Sequence, residues 1–244
     1  MRNHAHPAPL NWFTNLSQAI AEARRTNRPI LSLRLLGRLD EELSCANSRF
    51  FRKTLYVDPT IQRMMREQFV LHWQSIRPVP RVTIDFGGGR RIVKTLTGNS
   101  AHLVLDCYGR VVDVLPGLFS REVFTELLAR SHAMAIADRH RLAAMHRRAL
   151  DEPVRMKPVA LPRSLEASML AATKHIVEAP VLRAVTVDVE HDTRTNLGLH
   201  TQVHQLLATG VDWNVDQIVD WLYRELFLMP LDDPFLGLDI PDPF

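Results

Sequence analysis

Cysteine is scarce: Cys45 and Cys107 are the only two in 244 residues. Two thiols cannot build the disulfide framework of a small secreted scaffold, so the fold must rest on buried apolar surface, and a reducing compartment is expected. Lysine is nearly as scarce, with Lys53, Lys94, Lys157 and Lys174 alone among 30 basic residues. Arginine favours planar, bidentate pairing, but a skew this large is more simply read as genomic base composition. No apolar run reaches the ~20 residues that span a bilayer. The first ten residues, Met1 to Leu10, lack the apolar core of a signal peptide. The expectation is a soluble, cytoplasmic chain with no membrane partner. A net charge of +3 is too small to call for nucleic acid.

What is present is 46% hydrophobic residues in a chain long enough for one large domain, or a medium domain with an extension. Residues 1–10 read as a flexible segment. Trp12-Phe13 is expected to staple a helix from about Asn15 to Asn27, which Pro29 ends. Pro29 to Leu36 is an apolar run of buried-strand type, and a polar loop, Gly37 to Ser44, leads to a helix that Cys45 should open. Asp58-Pro59 is an N-cap and first-turn pair for another helix, and Phe69 to Trp73 reads as a strand. Gly87-Gly88-Gly89 lies between two strand-like runs and fits a hairpin, as does Cys107-Tyr108-Gly109. Ser120 caps a long helix expected to run to Arg148. Three prolines between 151 and 162 mark a linker. Residues 163–244 read as a helical extension with helices near 163–177, 196–209 and 215–228, and a tail rich in Pro and Asp.

The order helix, strand, helix, helix, strand, hairpin, helix describes an α/β domain with a mixed sheet flanked by helices. Over residues 12–130 it resembles the thioredoxin-like superfamily, in the branch with a Trp-led helix before the first strand and an Asp-Pro helix and Phe-Val strand after the motif. Trp12, Pro29-Ile30, Asp58-Pro59 and Phe69-Val70 carry the likeness. The resemblance implies a thioredoxin-like domain over 11–150. It places Cys45 at the family's attacking cysteine, Ser48 at the second cysteine, and Ser100 at the proline that faces the thiol. These three are the candidate catalytic residues.

A thiol at a helix N-terminus is stabilised as thiolate by unpaired amides. Ser48 could donate to it, and Arg49 and Arg52 add positive charge. Attack on a disulfide would leave a mixed disulfide that Ser48 cannot resolve, so an external thiol, from a protein or a small molecule, would finish the exchange. Cys107 would sit seven residues along an outgoing strand from Ser100, about 20 Å away, too far to serve as resolver. The reading favoured is a single-thiol redox protein. The alternative is a non-catalytic thioredoxin-fold module whose C-terminal extension meets a partner, with Cys45 a small buried residue.

Other clusters point to no cofactor. His200 and His204 form H-x-x-x-H on a helix, beside a core side marked by Leu199, Val203, Leu206 and Leu207. Two imidazoles do not make a zinc site, so boundary histidines are expected and whether they bind metal stays open. His191 could add a third ligand, and His4 and His6 could bind metal near the N-terminus. Gly87-Gly88-Gly89-Arg90-Arg91 is followed by a strand, unlike a phosphate-binding loop. Arg139, His140, Arg141, His146, Arg147 and Arg148 read as a solvated helix end, without the motifs of nucleic-acid binding. In the tail, Asp232, Asp233, Asp239 and Asp242 are expected to solubilise the apolar anchors Phe235, Leu236 and Ile240.

Overall fold

The computed structural model describes residues 10–41, 44–95, 99–156 and 189–236. Residues 1–9, with His4 and His6, most of the expected linker, the expected 163–177 helix, and the tail from 237, with Asp239, Ile240 and Asp242, lie outside the described residues.

An α/β architecture is built on a mixed five-stranded sheet. Its strands are β1 (Trp12–Phe13), β2 (Ile30–Leu36), β3 (Val70–Arg77), β6 (Ser100–Leu105) and β7 (Val111–Pro116), in the order β1-β3-β2-β6-β7. β3 runs parallel to β1 and β2, whereas β6 is antiparallel to β2 and β7 to β6. β2 is buried at all seven positions. A central strand covered on both faces reads as a near-continuous apolar run, which is why Ile30 to Leu36 shows no alternation. Trp12 and Phe13 pair with Leu71 and His72 as an edge strand, where a staple to the following helix was expected. The first hairpin, β4 (Arg81–Asp85) and β5 (Arg91–Thr95), forms a separate two-stranded ladder turned by Gly87, Gly88 and Gly89, all at positive φ.

The helices begin where short polar residues can cap them. α1 (Leu16–Thr26) is opened by Asn15, whose side chain accepts from the Gln18 amide, and ends on left-handed Asn27. α2 (Ala46–Phe50) starts at Cys45 and widens into a π-turn over Phe51–Leu55. α3 (Pro59–Gln68) has Asp58 accepting from the Thr60 and Ile61 amides, with Pro59 in the first turn. α4 (Arg121–Ala135) follows Ser120. The long helix expected to reach Arg148 is broken after Ala135. The Asp138 side chain accepts from the His140 amide and begins a new turn, and α5 (Leu142–Asp151) runs on from there. A local side-chain acceptor thus competes with helix continuation.

α6 (Val189–Leu207) and α7 (Val215–Trp221), with its π-turn over Leu222–Leu226, are the remaining helices among the described residues. α6 packs on α5 and on the edge strand β7. Three polar contacts fasten it there. Thr193 Oγ1 accepts from the Ser120 amide at 2.8 Å, Asn196 Nδ2 donates to the Leu118 carbonyl at 2.7 Å, and His200 Nε2 meets Asp113 Oδ1 at 3.1 Å.

Gly117 sits beneath this joint at φ 74, and a Cβ added to it would lie 2.4 Å from the Asn196 amide. Gly117→Ala should therefore combine left-handed strain with loss of the Asn196–Leu118 bond. We expect destabilisation of about 1–2 kcal/mol, measured as a lower urea midpoint at unchanged slope. An unaltered midpoint would mean that α6 is not docked through this contact.

Candidate functional site

Cys45 opens α2 at the C-terminal end of the sheet. Its sulfur accepts from the Ser48 backbone amide at 3.4 Å. That amide takes the place of the side-chain donor expected from Ser48, whose hydroxyl has no protein partner. The residue is completely buried. Burial pushes the thiol up to about 11, against the smaller pull of the Ser48 amide, Arg49, and the Asn47 and Leu36 amides. Desolvation wins because a thiolate gains less from a few amides than it loses in hydration. Ser100 begins β6 opposite Leu35, is also fully buried, and has an unpaired hydroxyl. No described peptide bond is cis. Cys107, half-buried in the second hairpin turn, and Cys45 are both free thiols.

The last described segment closes over this end of the sheet. The Arg77 guanidinium, at the end of β3, donates to the carbonyls of Leu231 at 3.2 Å and Asp233 at 2.8 Å. Tyr223 Oη donates to the Asn99 carbonyl at 3.2 Å, and Asn99 Nδ2 reaches Met229 Sδ at 3.0 Å. Burial raises the Tyr223 phenol, and Cys45 is close enough to add to the effect. Leu236 is buried as expected of an anchor, but Phe235 is exposed. Asp232 is paired with Arg224.

The sheet interior carries an unusual number of polar side chains. On one face Ser32 Oγ meets His72 Nδ1 at 2.8 Å, and Arg34 donates to Gln74. Arg34 is brought down to about 10, chiefly by burial. Toward α2, Tyr56 Oη meets His102 Nε2 at 2.6 Å, and the His102 ring packs on Phe51 and Phe124. These buried pairs carried no recognisable spacing. The β2–β3 register brings Ser32 to His72 and Arg34 to Gln74, and the packing of the π-turn after α2 on β6 brings Tyr56 to His102.

A second polar centre lies where β7, α5 and α6 meet. Asp113, on β7, is buried. Its Oδ2 accepts from Ser131 Oγ at 2.6 Å, and its Oδ1 lies 3.1 Å from His200 Nε2. His146 Nε2 lies 2.9 Å from the Val112 carbonyl, and its Nδ1 lies 2.8 Å from His204 Nδ1. His146, His200 and His204 are all buried. The H-x-x-x-H pair therefore faces inward on the stripe Thr193, His200, Val203, His204, Leu207, and is not at the core boundary as expected. His146, expected on a solvated helix end, joins it. Burial works to raise the Asp113 carboxyl, but His200, with His204 and His146, holds it well below the ordinary range. Burial lowers His146, and lowers His204 to about 4. Both are therefore neutral at pH 7. Asp113 carried no spacing signal because Val112-Asp113-Val114 reads as an ordinary strand.

Compared with known proteins, the chain matches no family model and no curated protein.

His72 and His102 are fully buried, and burial lowers them to about 4 and about 3. In the unfolded chain both protonate near ~6.5, so the unfolded state takes up protons first as pH falls. Their contribution to stability is intact above that value and lost on descending through it, by ~1.4 kcal/mol per pH unit for each ring. These two rings alone should lower urea midpoints between pH 7 and pH 5 by an amount equivalent to roughly 4 kcal/mol. A constant midpoint over that interval would contradict the burial of both rings in their neutral form.

Proposed function

We propose that this chain is a thioredoxin-like fold used as a non-catalytic interaction module, with Cys45 serving as a buried helix cap. The helix–strand–helix–helix–strand–hairpin–helix order and the Asp58-Pro59 start of α3 favour the thioredoxin-like reading. The observation that carries the functional half is the fully buried Cys45 thiol, raised to about 11. A nucleophilic thiol must be both reachable and ionised, and this one is neither at neutral pH. The Ser48 amide on its sulfur is the cap contact that any small acceptor makes at a helix start.

The segment after α7 also bears apolar groups directed to solvent. Leu228 is 74% exposed and Phe235 58%. Leu228 is also held at φ 53, a conformation that costs a branched residue about 1–2 kcal/mol. An exposed leucine in a strained conformation contributes little to this fold, and it suits contact with an apolar groove of a protein partner.

Alkylation of the folded protein with iodoacetamide, followed residue by residue, distinguishes the module from a single-thiol redox protein. The module requires Cys107 to react first and Cys45 only on unfolding. Fast modification of Cys45 with a midpoint below ~8.5 would overturn it in favour of mixed-disulfide chemistry with an external thiol. Leu228→Gly should raise stability by roughly 0.5–1 kcal/mol by relieving the left-handed strain, read as a higher melting midpoint. A lower midpoint would mean that the leucine side chain belongs to the fold and not to a partner surface.

A further inference from the structure

We infer that Asp113, His146 and His204 form a binding site for a divalent transition-metal ion, zinc foremost, joining the C-terminal helix α6 to the edge of the sheet. One carboxylate oxygen and two imidazole nitrogens, from β7, α5 and α6, lie within 4.8 Å of one another and are buried. Two imidazoles and a carboxylate suit zinc and its first-row neighbours, whereas calcium and magnesium take oxygen ligands.

The surroundings are those a metal site requires. The His146 Nε2–H donates to the Val112 carbonyl, which leaves Nδ1 as a bare lone pair directed into the cluster. Metal-bound imidazoles commonly anchor their second nitrogen in this way. The Asp113 carboxylate is oriented by Ser131 Oγ on one oxygen, and by His200 and the Val114 amide on the other. His200 is thus a supporting partner of the carboxylate. Among the described residues Asp113 makes no ion pair with arginine or lysine, and His200 is its basic neighbour. Ser131, the Val114 amide and His200 already support this buried carboxylate, and a divalent ion would add a fixed positive charge beside it.

In the metal-free protein the His146–His204 contact needs a proton between two nitrogens 2.8 Å apart, so His204 carries it on Nδ1. Binding shifts that proton to the other nitrogen of the His204 ring, and no net proton is released. A cavity of about 240 Å3 bounded by Leu127, Met134, Ala149 and Leu197 reaches Asp113, His200 and His204. It offers a path for the ion and room for a water as fourth ligand.

The test is zinc and cobalt(II) titration of the full chain after dialysis against EDTA. The expected result is one equivalent of zinc bound, the visible spectrum of a four-coordinate cobalt(II) centre, and a melting midpoint raised by about 5–10 °C at a hundredfold excess over Kd. Asp113→Asn and His204→Gln should each weaken binding at least ~100-fold, while a His4→Gln, His6→Gln double variant should bind like the parent. Unchanged affinity in both site variants, or loss of binding in the N-terminal variant, would overturn the assignment, as would failure to bind one equivalent. If the site variants do not fold, X-ray absorption of the zinc-loaded parent still decides. Two imidazoles and an oxygen ligand support the site, and sulfur ligation or a single imidazole refutes it.

Discussion

The complete burial of β2 is the constraint on which the rest of this structure depends. A strand with no exposed residue must be paired on both edges and covered on both faces. β3 and β6 supply the edges, and helices must supply the faces. β2 is not wholly apolar, because Ser32 and Arg34 lie within it. Each is tolerable only through its neighbour on β3, His72 for the serine and Gln74 for the arginine, since an unpaired polar group in such a place costs several kcal/mol. The register between β2 and β3 is therefore specified twice, by apolar pattern and by polar pairing. A slip of one residue would break both.

The C-terminal helices follow from the same requirement. They do not form a separate body beside the sheet, because α6 packs on β7 and α5 while the segment after α7 closes the end of β3 through Arg77. The extension also adds chemistry at the edge of the sheet, where it brings two histidines to a carboxylate and a third histidine from α5. Near the buried Cys45 it ties down the same end of the sheet, where Tyr223 donates to the Asn99 carbonyl and Arg77 to the Leu231 and Asp233 carbonyls.

Much of the sheet was legible in the residues. Pro29 to Leu36, Asp58-Pro59 and the two glycine turns each carry a local physical signal, and each became the expected element. The break after Ala135 was missed because the apolar period continues through it, and only the Asp138 side chain interrupts it. Trp12-Phe13 was misread because a two-residue edge strand has no periodicity to detect. The buried face of His200 and His204 was obscured by Leu199 and Leu206, which suggested a core stripe displaced by one position. Asp113 and His146 could not be linked to them at all, because their proximity arises from the packing of α5 and α6 on β7. The position of Cys45 was readable, but its exclusion from solvent was not, since burial is set by tertiary packing, in which Tyr223 comes near the thiol from far along the chain.

That distance has a consequence during synthesis. Arg77 is joined to Leu231 and Asp233 across 154 and 156 positions, so the end of β3 stays open until residues that far along have left the ribosome. Until then the N-terminal half is a nascent chain in which the Arg77 guanidinium and the Asn99 carbonyl lack the partners that the C-terminal segment brings. A chaperone would meet that open sheet end in a growing polypeptide, and would lose it once Leu231 and Asp233 settle against Arg77.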